Sequence, residues 1–180
     1  YAWLYDTRNE TWVNDVALGG RLGVLRFGDH DPFLPEGWQL DIEGAAFPRL
    51  AETSLDLIAT DYRFGIPLTW RRGPYQWKLA YYHLSSHVGD EYLLNTVPGF
   101  DRINFSRNAM VLGLGYFVTA DLRLYAETGY GFLNDGGNQP WEFQFGAEYR
   151  PVVPTGWRGA PFLAANAHLR EEVNFGGSFN

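Results

Sequence analysis

From Trp38 onward the chain alternates residue by residue between apolar and polar side chains. Trp38, Leu40, Ile42 and Gly44 share one side, against Gln39, Asp41 and Glu43. Over 61–71 the pattern strengthens: Tyr62, Phe64, Ile66, Leu68 and Trp70 face one way, Asp61, Arg63, Gly65, Pro67, Thr69 and Arg71 the other. Period two with aromatic and branched residues on one face is the signature of a β-strand. Pro67 has no N–H to give to a neighbouring strand, so a bulge or a local break in pairing is expected there. A turn at 71–74 leads into a strand over 75–88 with Tyr75, Trp77, Leu79 and Tyr81 on its apolar face. Further strands are predicted over 18–27, 109–118, 122–133, 141–150 and 162–170, with a short one at the start and another beginning over 173–180. The polar stretches up to residue 17, over 28–37, near 48–54, over 89–106 and over 135–140 read as loops. The count is about nine strands, most of roughly ten residues, and no helical periodicity of useful length.

Composition decides which all-β class this is. Aromatic residues make up 17% of the chain and there are 21 glycines, yet the mean hydropathy is slightly negative at -0.27. An apolar outer face edged by aromatic girdles, around a polar lumen, has that composition. The expected fold is therefore an antiparallel up-and-down transmembrane β-barrel. A soluble sandwich or lipocalin-like barrel also alternates, but it puts the apolar face inside and seldom edges it with aromatics at both ends. No run approaches the 18–20 apolar residues of a spanning helix. The charged row Asp41, Glu43, Asp61, Arg63, Lys78, Arg123, Glu127, Glu142, Glu148 and Arg170 then lines the interior, where ion pairs would plug the lumen rather than leave a wide pore. Single-chain bacterial barrels have even strand numbers. A last strand that begins at Val173 and stops suggests a single-domain barrel of about 10–12 strands of which residues 1–180 are a fragment. Tyr1 opens no signal peptide, so a leader has been removed or the chain is a piece. A net charge of -7 argues against a nucleic-acid partner, since no basic patch exists to displace counterions from phosphates. The lack of cysteine excludes disulfides and thiol catalysis and fits an exported protein of the bacterial outer membrane.

The densest chemistry lies in Tyr81-Tyr82-His83-Leu84-Ser85-Ser86-His87-Val88-Gly89-Asp90-Glu91-Tyr92. By parity His83, Ser85 and His87 fall on the apolar side of their strand, near its outer end. Three readings are open. His83, Ser85, Ser86, Asp90 and Glu91 can tie down the root of the long loop by hydrogen bonds. Ser85 can act as nucleophile with His83 as base and Glu91 or Asp90 orienting the imidazole, on an ester of a surface lipid. Or His83, His87, Asp90 and Glu91 can hold a metal, calcium favouring the acids and zinc the histidines. No other cofactor is expected: there is no phosphate loop, no G-x-S-x-G and no H-E-x-x-H. His30, between Asp29 and Asp31, reads as a solvated loop residue, and His168 as an interior hydrogen-bonder.

The run over 61–73 followed by the H-x-S-S-H-x-G-D-E of 83–91 resembles an uncharacterised bacterial family, a domain of unknown function. The strand at Gly129-Tyr-Gly131, the strand start at Pro140-Trp141 and the segment over 169–177 are similar too, so the likeness spans roughly residues 36–180. The resemblance implies an exported outer-membrane barrel with strands beyond Asn180; it brings no activity and no catalytic residues. The expected function is that of a non-enzymatic outer-membrane protein, bounded by outer-membrane lipid, whose outer loops bind a protein or surface component. One alternative is a lipid hydrolase, since the His-x-Ser on a strand facing the outer leaflet is similar to that of lipid A deacylases. The other is a small-solute channel.

Overall fold

The computed structural model describes residues 2–7, 10–95, 105–153 and 160–180. Eleven strands form a single sheet among them: β1 (Ala2–Asp6), β2 (Thr11–Asp15), β3 (Leu18–Gly28), β4 (Gly37–Ala51), β5 (Leu57–Arg72), β6 (Tyr75–Val88), β7 (Phe105–Phe117), β8 (Leu122–Asp135), β9 (Trp141–Tyr149), β10 (Leu163–Arg170) and β11 (Gly176–Phe179). A short helix, α1 (Asp90–Asn95), follows β6. Every pairing is antiparallel, and neighbours in sequence are neighbours in the sheet, with one exception: β2 and β3 both lie along β4. They are two lengths of one path, joined where the Val16 amide donates to the Pro48 carbonyl at 3.0 Å.

Eleven strands replace the nine expected. The strand β2 was hidden because Val13 and Asn14 are both buried, so the segment carries no period-two signal. The loop placed near 48–54 is shorter, because β4 runs on through Pro48 to Ala51. Part of the connection over 89–106 is the helix α1; residues 96–104 lie outside the described residues. β11 starts at Gly176 rather than Val173, because a 3-10 turn at Glu171–Val173 ends with Asn174 and Phe175 at left-handed φ of 55°. At Pro67 there is no bulge. The β4–β5 register passes from Leu40↔Leu68 to Glu43↔Gly65 without shifting, and pairing lapses between them, where the proline has no hydrogen to offer.

The alternation places the apolar side chains outward and the charges inward. On the outer face Tyr62, Phe64, Ile66, Trp77, Leu79, Leu112 and Phe145 are exposed, Phe64 and Phe145 each by 44%. On the inner face Asp41 and Arg107 have no exposed surface at all. The densest apolar packing is correspondingly small, Ala80, Tyr82, Ala109 and Val111 with Leu84 against them. The sheet is not zipped into a closed ring, but it curls far round. One inner cavity is lined by Asp15 of β2 and also by Ser178 and Asn180 at the far end.

Outward rings gather toward both ends of the strands. Trp38 and Trp70 lie with centroids 5.7 Å apart and Tyr75 and Tyr116 5.3 Å apart at the end nearer the Gly73 turn. Toward the other end Tyr62 meets the His87 ring, Tyr81 meets Phe132, and Tyr130 meets Trp141. Ile42, Phe64, Ile66, Leu79, Leu112 and Leu114 fill the band between them.

Candidate functional site

β6 divides the cluster singled out in the sequence between two faces. Its register against β5 and β7 runs without a bulge over the whole strand. His83, Ser85 and His87 therefore stay with Trp77 and Leu79 on the outer side, and Leu84 and Ser86 turn inward. His83 Nδ1 lies 3.1 Å from Oδ1 of Asn108, its direct partner on β7, and the same oxygen accepts the Tyr81 hydroxyl at 2.7 Å. Among the described residues no hydrogen bond joins Ser85 to His83. The serine that meets an acid is the inward one: Ser86 Oγ donates to Asp61 Oδ1. The His87 ring meets that of Tyr62 edge-on at 5.6 Å.

Asp90 opens α1, which is anchored by the Gly89 amide on the Ile58 carbonyl at 2.9 Å. The side chain of Glu91 lies outside the described residues. His83 and His87, four positions apart on an extended strand, are separated by about 13 Å along the backbone, too far to share an ion on a straight strand. Among the described residues no group of three or more His, Cys, Asp or Glu side chains is spaced to hold a metal.

The inner face carries the more connected chemistry. The Tyr82 hydroxyl donates to Glu142 Oε1 at 2.6 Å, reaching from β6 to β9, and His168 Nε2 lies 3.3 Å from the other carboxylate oxygen. Arg107 donates to the carbonyls of Gln139 (2.9 Å) and Pro140 (2.8 Å), pinning the β8–β9 loop against β7. Its guanidinium also sits 3.9 Å from Glu142 and 3.7 Å from Glu172. Nearer the Gly73 turn, Lys78 Nζ meets Glu127 at 2.5 Å and Arg123 meets Glu148 at 2.9 Å, with Gln76 accepting from Arg123 Nε at 2.6 Å.

Inward glycines make these reaches possible. Lys78 and Glu127 stand on β6 and β8, and they meet across β7 at Gly113, where a Cβ would come within 3.2 Å of both. Gln76 and Arg123 cross at Gly115 in the same way. Sequence reading placed Lys78, Arg123, Glu127, Glu142, Glu148 and His168 on this face. It missed Tyr82 and Arg107. Arg107 shares parity with Ala109 and Val111, but the predicted strand started at Ala109 and left it outside.

Fold and interior together define an antiparallel up-and-down β-protein with a charged, hydrogen-bonded inner face and an apolar outer one. Among the described residues no helix is long and apolar enough to cross a membrane; strands follow a different rule. The chain belongs to the family described as protein of unknown function (DUF1207), which matches residues 5–177. No curated protein and no solved structure matches it.

Proposed function

We propose that this chain is an outer-membrane β-barrel of structural or interaction type, with hydrocarbon against its outer face and its loops turned to a protein or surface partner. The observation that carries this is the inverted burial. Large apolar side chains stay about half exposed along every strand from β4 to β8, and an exposed apolar face of that extent is what a membrane or protein contact covers. Two ring belts favour lipid over a protein partner. On β5 they are eight positions apart, at Tyr62 and Trp70. That is about 26 Å along the strand, or about 20 Å of depth for a strand tilted by about 40°.

The reading is tested by refolding the full chain into liposomes and comparing boiled with unboiled samples by gel electrophoresis. A protease-resistant, heat-modifiable band that floats with the lipid supports it. A monodisperse, folded protein in buffer without detergent refutes it. A lipid hydrolase using His83 and Ser85 is the weaker reading, because the imidazole is engaged by Asn108 rather than by the serine.

A further inference from the structure

One patch of the outer face departs from the apolar rule. His83 of β6 and Asn108 of β7 are direct partners there. Asn108 Oδ1 accepts from the Tyr81 hydroxyl at 2.7 Å and from His83 Nδ1 at 3.1 Å, so both its lone pairs are occupied. The amide hydrogens on Nδ2 have no hydrogen-bond partner among the described residues. Nor has the hydroxyl of Ser106, the next outward side chain toward the start of β7. What the patch offers its surroundings is thus a surplus of donors, and a donor left bare against hydrocarbon is costly.

The register fixes the depth of the patch. Ser106 is level with Tyr62 through Ser85, and Asn108 is level with Phe64 through His83. A belt tyrosine marks the head-group layer of a bilayer. Two positions further along the strand is about 7 Å, or about 5 Å of depth at a tilt of about 40°. The polar layer is itself only about 5–8 Å thick on each side, so Asn108 stands where head groups give way to acyl chains. Apolar side chains flank it. Met110 is the next outward residue on β7, and Phe132 and Leu133 are both exposed on β8, where the register shifts opposite Asn108 and Ala109.

We propose that Asn108 and Ser106 bind the ester carbonyls of an acylated membrane lipid, with its chains laid against Met110, Phe132 and Leu133. This rests on the membrane-barrel reading above. Ester carbonyls accept and never donate, which complements a surplus of donors; a second copy of the patch would set donors against donors. Tyr81 and His83 are positioning residues, because their bonds to Oδ1 leave Nδ2 as the free end of the amide.

The test is lipid retention by the full chain. It is refolded into liposomes holding equal amounts of a diester phosphatidylethanolamine and its diether analogue, which has the same head group and chains and no carbonyls. Insertion is checked by flotation, and lipid kept after extraction in mild detergent is counted by native mass spectrometry. Inserted wild type is expected to retain the diester about two- to tenfold over the diether, as one hydrogen bond would give. Asn108→Asp keeps an oxygen for Tyr81 and His83 and replaces the donor by an acceptor; it is expected to lose the preference. Where that variant does not insert, Ser106→Ala is read instead, since it breaks no side-chain bond within the protein, and the preference is expected to fall by about half or more. Equal retention of the two lipids by the wild type overturns the site and leaves the barrel standing. So does a preference unchanged in the inserted variant. A dimer that Asn108→Asp dissolves, with no ester preference in the wild type, assigns the patch to self-association and overturns the proposal. Failure of the wild type to insert removes the barrel reading and the site with it.

Discussion

An alanine at Gly129 would set a methyl carbon 2.6 Å from Cγ of Glu142 and closer still to Oε1. Glu142 is the direct partner of Gly129 across β8 and β9 and is itself buried, so its side chain has to leave its place. Leaving breaks the 2.6 Å bond from the Tyr82 hydroxyl, and a hydrogen bond to a charged acceptor contributes about 1.5–3 kcal/mol. It also strands the hydroxyl of Tyr82, a residue that is 3% exposed. Against that stands the ordinary gain of about 0.5–1 kcal/mol from replacing a strand glycine. The net expectation is destabilisation by about 1–3 kcal/mol. Gly20 supplies the internal control, since a Cβ there would meet nothing within 4 Å. Gly20→Ala is therefore expected to be neutral or stabilising by up to about 1 kcal/mol. Urea titration of the refolded protein in micelles, followed by tryptophan fluorescence, reads both midpoints. Opposite shifts support an interior network that depends on the glycine at 129. A Gly129→Ala midpoint at or above that of Gly20→Ala refutes it.

Three further outcomes follow from the same geometry. Arg107→Met removes the cation that faces Glu142 and Glu172 and holds two loop carbonyls; the loss is expected at about 3–5 kcal/mol, read in the same titration. The Asp31 carboxylate accepts from the amides of Leu34 (2.9 Å) and Phe33 (2.8 Å), and these two bonds, Leu34's first, hold its pKa below the ordinary value. The group stabilises the 29–36 turn above its unfolded pKa of about 3.9 and loses that contribution as the pH falls through the lower folded value. Amide shifts of Phe33 and Leu34 should move together in that window and lose the transition in Asp31→Asn. Ser85→Ala is expected to leave the lipid profile of a producing cell unchanged with the protein folded; a changed profile would restore the hydrolase reading.

Most of the architecture was legible because period two survives wherever one face is apolar throughout, as in 61–71 and 141–149. It failed where that condition lapses. At Val13–Asn14 both side chains are buried, and at Pro48 a residue that usually ends a strand sits where its carbonyl still accepts from Val16. The site was half legible. Parity correctly set His83 and Ser85 outward and Glu142 and His168 inward, because no bulge interrupts β6 and strand direction follows from counting. Contacts that skip a strand, such as Lys78 to Glu127 over β7, leave no mark in spacing; an inward glycine on the strand between, here Gly113, is their nearest trace. The chemistry at 83–91 divides between faces, His83, Ser85 and His87 outward and Ser86 inward, because adjacent residues on a strand point to opposite sides.

The proposed membrane barrel sets the outer face against hydrocarbon and the inner face against water. The absence of cysteine allows a single nitroxide label to be placed at will. Labels at Leu112 and Phe145, outward, and at Val111 and Gln144, inward, can be compared in liposomes by their collisions with oxygen and with a water-soluble nickel chelate. The outward labels are expected to favour oxygen and the inward labels the nickel reagent, alternating with each step along the strand. Equal access of the nickel reagent to Leu112 and Val111 would contradict it.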